Sequence, residues 1–195
     1  MKQNKVLSIK IGIFFIFLVT ILFFFFMHFS QKPMNDPLHN NIFKEGDIIF
    51  VSGTSWRASI LRAYGNPDYT HVGLVVKKKK QFFILQAIPE YNGVGNESGV
   101  VLTPLKYFFL DVASYSILRH PDYIINRHID DYLGREFDDK LDRYDSEKIY
   151  CTELIDDLLY DNNITAVPKD IESLWPEVLV LHLYNIGYIK INNFK

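Results

Sequence analysis

The feature that most constrains this chain is an apolar run from Ile11 to Met27 that contains no charged residue. A helix over this run would be about 26 Å long at about 1.5 Å per residue, which nearly matches a bilayer core. Because Lys2, Lys5 and Lys10 precede the run, the positive-inside tendency predicts a cytoplasmic N-terminus and an extracytoplasmic domain. We therefore expect residues 1–30 to form an N-terminal transmembrane helix that anchors the protein in a membrane.

A cleaved secretory signal peptide is the alternative interpretation of this segment. Residues 28–33, which follow the run, lack the small-x-small pattern of a cleavage site, and no cysteine there could accept a lipid. These observations favour an uncleaved anchor. A short tether should follow over residues 31–42, which contain prolines and asparagines without apolar periodicity. Residues 43–195 are enough for one domain of ordinary size.

Composition excludes one class of function and leaves the cysteine open. The chain has 195 residues, 48% of them hydrophobic, and a formal net charge of -2. Nucleic-acid-binding proteins usually carry a concentrated basic excess, so no nucleic-acid partner is expected. The single cysteine, Cys151, cannot form an internal disulfide. Outside the cytoplasm it must be a protected core thiol, an intermolecular bridge or a reactive group, and all three roles remain open.

Hydrophobic patterning predicts strands grouped in the middle of residues 43–195. Two of them are joined by a lysine-rich turn and should form an antiparallel hairpin. Strands in the middle with helices on either side favour an α+β domain built on an antiparallel sheet. The predicted strands are Ile48 to Val51, Thr70 to Lys77, Gln81 to Ile88, Val100 to Leu102, Tyr115 to Arg119 and Tyr184 to Ile191.

The predicted helices are placed by capping residues and by apolar spacing. Ser146 can cap the strongest of them, whose broad apolar face runs to about Tyr160 and whose first turns contain Cys151. Thr103 and Pro104 match an N-cap followed by proline at the first helical position. The other predicted helices run from Thr54 or Ser55 to about Tyr64, from Pro104 to about Leu110, from Pro121 to Gly134 and from Pro168 to Leu174.

Cys151 and His71 have the sequence setting of a thiol nucleophile and its base. A helix N-terminus and an adjacent imidazolium both favour the thiolate and lower the pKa of a thiol. His71 could then hand its proton to the leaving group when an amide or ester carbonyl is attacked, and the backbone amide of Cys151 could help hold the oxyanion. Alternatively, Cys151 is a small buried hydrophobe and His71 is a polar residue at a strand end.

Three local sequences in this order resemble the permuted papain-like amidases of the YaeF/YiiX type: Gly46 to Phe50, Thr70 to Val75 and Tyr150 to Leu154. These amidases are relatives of the NlpC-type cell-wall peptidases in which histidine precedes cysteine. The resemblance covers about Lys44 to Asn162. It implies a circularly permuted papain-like hydrolase domain over residues 43–195, with the antiparallel sheet packed against the cysteine-bearing helix and the histidine on a strand that faces it. It also implies thiol-dependent cleavage or transfer of an acyl group.

The resemblance further implies a third polar group on the strand after the histidine, where the match falls on Gln86. Relatives often carry glutamate there, whereas glutamine can accept the imidazole N–H but has no negative charge to stabilise an imidazolium. Gln86 could equally be an ordinary polar residue on an exposed strand face, and Glu90 is close enough to replace it. Tyr150 is a candidate oxyanion or substrate contact through its hydroxyl, or else simply packs with its hydroxyl at the surface.

Several other polar residues are expected to be structural. Glu153, two residues beyond the cysteine on a helix, points to a different face, and Asp47 should fix a turn. Residues 77–80 are four lysines typical of a solvated hairpin tip. The acidic stretch 138–145 lacks the pattern of a calcium loop but could meet an amino group on a substrate. The remaining histidines lack zinc-ligand spacing, so no metal and no cofactor is expected.

The first hypothesis is a membrane-anchored cysteine hydrolase outside the cytoplasm that cleaves amide bonds. Its NlpC-type relatives suggest cell-wall peptide as the substrate class. Related papain-like folds also act on lipid esters and acyl thioesters, so a lipase or thiol acyltransferase is the nearest alternative. A binding module that keeps the fold without turnover is the alternative from a different class, and the glutamine at position 86 encourages it.

Overall fold

A six-stranded antiparallel sheet is the centre of the domain in the computed structural model. The structure describes residues 42–55, 58, 61–62, 68–89, 98–171 and 174–194. The strand order is β4-β3-β2-β1-β5-β8, and a separate parallel pair is formed by β6 and β7. This mixed α/β domain with an antiparallel sheet agrees with the predicted fold class. The strands are β1 Ile48–Gly53, β2 His71–Lys78, β3 Gln81–Ile88, β4 Gly99–Pro104, β5 Val112–Arg119, β6 Glu136–Phe137, β7 Lys148–Ile149 and β8 Ile189–Phe194.

Four helices have defined bounds within the described residues. Two are single turns, α1 (Leu105–Phe108) and α2 (Ile129–Tyr132), and a 3-10 turn over Phe109–Asp111 continues α1. The two longer helices are α3 (Cys151–Asp161) and α4 (Pro176–Asn185). Most strands of the sheet therefore precede, in the sequence, the long helix that contains the cysteine.

One face of the sheet packs against α3 in an apolar core. Val72 and Leu74 of β2 and Leu154 and Leu158 of α3 are all fully buried there. In α3 the apolar residues recur at the spacing of one helical face, which explains why this helix covers the sheet instead of lying in solvent. This packing fixes the first turn of α3 relative to β2.

The opposite face of the sheet is covered by aromatic rings. Ile49 and Ile117, paired across β1 and β5, are fully buried. The ring of Phe109 lies 5.9 Å from that of Phe43 and 4.9 Å from that of Tyr115, measured between centroids. Both faces of the sheet are therefore buried, as expected for a sheet in the middle of a domain.

The predicted hairpin is confirmed, but the helix predicted from Ser146 begins later. Residues Lys148–Ile149 form β7 and pair with β6. The Asp145 carboxylate accepts the backbone N–H groups of Glu147 and Lys148 at 2.8 and 3.1 Å, which stabilises a turn instead of a helical start. Cys151 is therefore the first residue of α3, not a residue further along it.

The N-cap predicted at Thr103 is wrong. Thr103 lies within β4, which continues through Pro104, and no side chain caps α1. The Thr103 hydroxyl accepts a hydrogen bond from Gln86 instead. A threonine side chain can bond across strands as readily as to a helix start, so the local pattern alone did not separate the two.

The helix predicted from Pro121 to Gly134 is also wrong, apart from the short α2. The His120 ring accepts the backbone N–H groups of Asp122 and Tyr123 at 3.0 and 3.1 Å, which holds the chain in a turn. His128 has the left-handed φ of 63°, and this conformation interrupts a helix before Ile129.

The C-terminal predictions are shifted along the chain. No helix occurs in the described part of Pro168 to Leu174, and the strand predicted from Tyr184 begins at Ile189. Between them the sequence analysis missed α4, which starts with proline at its first position and glutamate in its first turn. Both are known start signals, so this helix was readable from the sequence.

Four sequence predictions lie wholly or largely outside the described residues. The anchor and the tether up to residue 41 are not described, nor is Glu90. Within the described part of the chain, no helix has the length and apolar character needed to cross a bilayer. Of the helix predicted after Thr54, residues 58, 61 and 62 are helical, and Ser55 accepts the backbone N–H of Ala58 at 3.2 Å, as an N-cap residue does.

Candidate active site

The first turn of α3 presents the thiol of Cys151. Tyr150 has extended backbone angles, φ −110° and ψ 171°, and the helix begins at the next residue. Glu153, at the third helical position, accepts the backbone N–H of Tyr150, which is one half of a capping box. The N–H groups of Cys151 and Thr152 have no acceptor within the helix and interact with the sulfur. The helix start therefore surrounds the thiol with backbone donors.

The sheet opens where this thiol meets it. The β2–β3 ladder runs from the Leu74–Leu85 pair to the Lys78–Gln81 pair. The first three residues of β2, His71 to Gly73, have no partner on β3, although β3 continues to Ile88 in pairing with β4. The two strands therefore separate at the start of β2.

The backbone N–H of Val72 points into this opening. Val75 donates its N–H to the Asp47 carbonyl beside β1 at 2.8 Å. Because successive N–H groups of a strand point to opposite edges, Val75 and Gly73 face β1, whereas Val72 and Leu74 face β3. At Val72 the ladder is open, and its N–H lies near the Cys151 sulfur instead, where it acts to lower the pKa of the thiol. The thiol therefore lies beside the residue that follows His71.

His71, Gln86 and Thr103 form a chain of hydrogen bonds across three adjacent strands. The His71 Nε2 lies 2.8 Å from the Gln86 Oε1, and the Gln86 Nε2 donates to the Thr103 Oγ1 at 2.8 Å. Gln86 is buried, so it is not the exposed strand residue that the alternative interpretation described. The structure therefore brings the sequence-predicted His71 and Gln86 into direct contact.

Burial keeps the imidazole of His71 neutral. Desolvation lowers the pKa of His71 from its ordinary value, and the hydrogen bond to Gln86 opposes this only in part. The ring of Phe108 lies 6.2 Å from the His71 ring and forms part of its apolar surroundings. A neutral imidazole has one nitrogen with a proton and one with a lone pair, so at neutral pH this ring can act as a base.

Burial also keeps the thiol of Cys151 protonated, which corrects the sequence expectation of a lowered pKa. Desolvation raises the pKa of the Cys151 thiol to about 11, although the N–H groups of Val72, Thr152 and Cys151 itself act in the opposite direction. The N–H groups at the helix start thus act to lower the thiol pKa, as predicted, but desolvation raises it by more. No hydrogen bond between the thiol and the His71 ring occurs among the described residues, so their direct contact stays a prediction.

The two other polar residues next to the cysteine have structural surroundings. Tyr150 is buried, and its enclosed hydroxyl lies near the backbone N–H of Leu174 without forming a full hydrogen bond. This placement favours packing over contact with a reacting carbonyl. Glu153 is 3% exposed, and burial raises the pKa of its carboxyl to about 7. Its bond to the Tyr150 backbone agrees with the structural role expected for it.

The acidic residues expected to be structural have structural partners. Asp47 accepts the backbone N–H of Lys44 at 2.7 Å and forms an ion pair with Arg119 at 2.6 Å, so it fixes the turn before β1. Asp138 is buried and accepts the backbone N–H groups of Lys140 and Asp142. In the part of the chain that the structure describes, no three histidine, cysteine, aspartate or glutamate side chains are grouped to hold a metal ion.

Val72 and Thr103 contribute to this site, and the sequence analysis did not assign either residue to it. Val72 contributes only its backbone, for which a sequence gives no signal. Thr103 lies diagonally across the β3–β4 ladder from Gln86, since Gln86 pairs with Val101. Residues at such diagonal positions are within side-chain reach. The register of β3 against β4 would have been needed to find it.

The sheet and the cysteine-bearing helix packed on it are consistent with the permuted papain-like class of hydrolases. A family model described as "Permuted papain-like amidase enzyme, YaeF/YiiX, C92 family" matches residues 42–179. The chain therefore belongs to this family, which confirms the resemblance found in the sequence, and the family's description supports a hydrolase.

A solved structure and the curated proteins give two further comparisons. The metalloprotein YiiX from Escherichia coli O157:H7 has a similar fold, with a TM-score of 0.54 and 20% sequence identity over 73% of this chain and 81% of that chain. No curated protein matches the chain.

Proposed function

We propose that the protein is a cysteine hydrolase that cleaves amide bonds, with Cys151 as the nucleophile and His71 as the general base. The observation that carries this proposal is the position of the thiol. Cys151 is the first residue of α3, and its sulfur lies near the N–H of Val72, the neighbour of His71. Membership of an amidase family supports the same chemistry.

The first half of the reaction forms a thioester. Because the His71 Nε2 is bonded to Gln86, the Nδ1 lone pair is the one available for the thiol proton. As that proton moves to Nδ1, the sulfur attacks the amide carbonyl carbon and the carbonyl oxygen becomes an oxyanion. The N–H of Cys151 is a donor for this oxyanion. When the oxyanion collapses, the C–N bond breaks and the imidazolium returns its proton to the leaving amine.

The second half of the reaction releases the acid product. A water molecule gives a proton to the neutral His71 and attacks the thioester carbonyl carbon. The C–S bond then breaks, the carboxylic acid leaves, and the sulfur takes the proton back from the imidazolium. Gln86 acts in both halves, because its oxygen accepts the Nε2–H and orients the ring. This reaction needs no thiolate in the resting enzyme, which agrees with the raised pKa of the Cys151 thiol.

The proposed substrate class is a peptide amide of the cell wall, reached from the outer side of a membrane. The support is the relation to NlpC-type peptidases implied by the sequence, together with the uncharged run Ile11 to Met27. YiiX is described as a metalloprotein, but the described residues of this chain contain no group of side chains suited to hold a metal. We therefore assign no step of this reaction to a metal.

Active-site labelling tests the nucleophile and the base separately. An acylating amide or ester probe should label Cys151 in the wild-type protein, and Cys151→Ala should abolish both labelling and amide hydrolysis. His71→Ala should reduce labelling by about 100-fold or more, because it removes general base catalysis. Loss of hydrolysis in Cys151→Ala without any change in His71→Ala would contradict the assigned base, and activity retained in Cys151→Ala would contradict the proposal as a whole.

A matched control separates chemistry from folding in this test. His120 also has a buried ring that is hydrogen-bonded at both nitrogens, but its partners are backbone groups, the carbonyl of Ile186 after α4 and the N–H of Asp122 after β5. His120→Ala removes a buried imidazole that has no part in the proposed reaction. Labelling of the folded fraction should therefore stay at the wild-type level in this variant.

A binding module without turnover is the second candidate function. The observations that favour it are the raised pKa of the thiol and the neutral amide at position 86. This candidate predicts that cell-wall peptide binds to wild type and to Cys151→Ala with equal affinity and is recovered intact from both. Release of a new amino group by the wild type alone would exclude it.

A further inference from the structure

We propose that Thr103 is a positioning residue that fixes the tautomer of His71 through the amide of Gln86. The proposal rests on the function proposed above and extends it to a residue on a third strand. Thr103 would not touch the substrate. It would decide which nitrogen of His71 has the lone pair.

The geometry defines a direction along the chain of hydrogen bonds. The amide of Gln86 has one accepting end and one donating end. Its oxygen is 2.8 Å from the His71 Nε2, and its nitrogen donates to the Thr103 Oγ1 at 2.8 Å. An oxygen at Nε2 requires a proton on Nε2. In the neutral ring the lone pair is then on Nδ1, the nitrogen that the proposed reaction uses.

The reverse orientation of the amide would give the wrong tautomer. If the NH2 group of Gln86 faced His71, Nε2 would have to accept and the ring proton would move to Nδ1. A protonated Nδ1 cannot take the thiol proton of Cys151. The orientation of one amide therefore decides whether the imidazole can act as a base toward the sulfur.

Thr103 favours the productive orientation because it accepts from the amide nitrogen. Gln86 is 6% exposed, so its NH2 group has little access to water. A buried N–H without a partner is less tolerated than a buried carbonyl oxygen without one. Without the Thr103 hydroxyl, the amide would lower its free energy by turning its NH2 group to Nε2 and leaving its oxygen unpaired.

The position of Thr103 suits this role. It lies near the end of β4, diagonal to Gln86 in a regular ladder, and α1 begins two residues later. Regular pairing holds the Thr103 backbone at a fixed distance from β3. The hydroxyl is therefore a fixed acceptor instead of a mobile surface group.

Nitrogen NMR of the full-length protein labelled with 15N-histidine tests the tautomer directly. The His71 signals are assigned as those lost in His71→Ala. In the wild type near pH 7 we expect a protonated Nε2 and a lone pair on Nδ1. In Thr103→Val we expect a shift toward the opposite tautomer, and Thr103→Ser should restore the wild-type pattern because it restores the hydroxyl.

A second pair of variants controls for a merely structural effect. In Gln86→Glu the carboxylate presents an oxygen to Nε2 in either orientation, so adding Thr103→Val in this background should leave the protonation pattern of the two ring nitrogens unchanged. A wild-type ring protonated on Nδ1 would overturn the proposal. So would an unchanged tautomer in Thr103→Val, or the same shift in the Gln86→Glu background.

Activity gives a separate readout that distinguishes the two proposals. Thr103→Val should reduce kcat/KM for amide hydrolysis by about 3- to 10-fold, the loss expected for one neutral hydrogen bond. The tautomer is also measurable in Cys151→Ala, which has no thiol. If Cys151→Ala retains hydrolysis, the proposed function fails while the NMR result still decides the role of Thr103.

Discussion

Cys151 and His71 are both kept uncharged by the protein around them. Desolvation raises the pKa of the thiol and lowers that of the imidazole. A resting ion pair between them is therefore disfavoured, and proton transfer has to accompany attack on the substrate. At the scale of single residues, the proposed enzyme depends on general base catalysis more than on a preformed thiolate.

The alkylation rate of Cys151 should report this resting state. We expect the rate with iodoacetamide to rise with pH from 6 to 10, because the thiolate fraction grows toward a pKa of about 11. At pH 7 the thiol should react more slowly than a free cysteine in a peptide. A rate that is already constant below pH 8 would contradict this prediction.

Gln86→Glu provides the matched comparison for that measurement. A carboxylate at the His71 Nε2 stabilises the imidazolium, which in turn stabilises the thiolate. Alkylation at pH 7 should therefore be faster than in wild type by about tenfold for each unit by which the thiol pKa falls. An unchanged rate would mean that the charge of the His71 ring has no effect on the pKa of the Cys151 thiol.

At the scale of elements, the first turn of α3 contains both the Cys151 thiol and the Glu153 carboxyl, whose negative charge destabilises the fold because it is buried. Glu153 caps the backbone of Tyr150, but its carboxyl is buried beside Asp157, and burial is the main cause of its raised pKa. The capping bond needs only an accepting oxygen, which a glutamine side chain also has. The negative charge of Glu153 is therefore dispensable for the helix start.

Glu153→Gln should remove a pH dependence of stability. The pKa of Glu153 is about 7 in the folded protein, above its ordinary value of 4.5. Between these pH values the folded state binds more protons than the unfolded state, so the free energy of unfolding of the wild type falls as pH rises. Relative to Glu153→Gln, the wild type should lose about 3 kcal/mol across this range. Urea unfolding at pH 4.5 and pH 8 measures the difference, and equal losses in both proteins would contradict it.

Elements with simple burial patterns were predictable, and elements set by turns were not. The strands β2 and β3 were found almost to the residue, because apolar runs flanked a lysine turn. The start of α3 was placed too early because Asp145 holds the preceding residues in a turn. A propensity pattern does not reveal which of two local hydrogen-bonding arrangements is chosen.

The same distinction applies to the candidate site. Gln86 was assigned from the family resemblance, and its contact with His71 lies within one hairpin, which is local in sequence. The bond from Gln86 to Thr103 and the opening beside Val72 depend on the registers of β4 and β2 against β3. Whether desolvation or the helix start has the larger effect on the pKa of Cys151 depends on how densely the site is packed. None of these quantities is present in the local sequence.

At the scale of the whole molecule, a buried ion pair joins α3 to the segment before it, and both of its members also bind the segment after the helix. Arg143 and Asp156 are both almost fully buried and hydrogen-bonded to each other. Arg143 also donates to the carbonyl oxygens of Pro168 and Ile171 at 2.9 and 3.0 Å, and Asp156 accepts the N–H of Val167 at 2.6 Å. These bonds fix residues 167–171 against the helix.

Removing one charge of this pair should destabilise the domain strongly. Asp156→Asn leaves the Arg143 guanidinium buried without a counter-charge, and we expect the free energy of unfolding to fall by about 3–5 kcal/mol. Urea denaturation provides the measurement. In Asp130→Asn, which breaks the exposed pair with Lys78 at 3.0 Å, we expect no measurable change. Equal effects of the two variants would contradict the assigned difference in burial.

The separation of β2 from β3 beside His71 has a consequence for the order in which the site forms during folding. The hairpin with His71 and Gln86 needs only nearby chain, but the sulfur that enters the gap arrives from a helix much later in the sequence. Loop closure over such a distance is slow compared with hairpin formation. During synthesis the imidazole would therefore be oriented by its hairpin well before the cysteine joins it, and the reactive centre would be complete only once α3 has packed on the sheet.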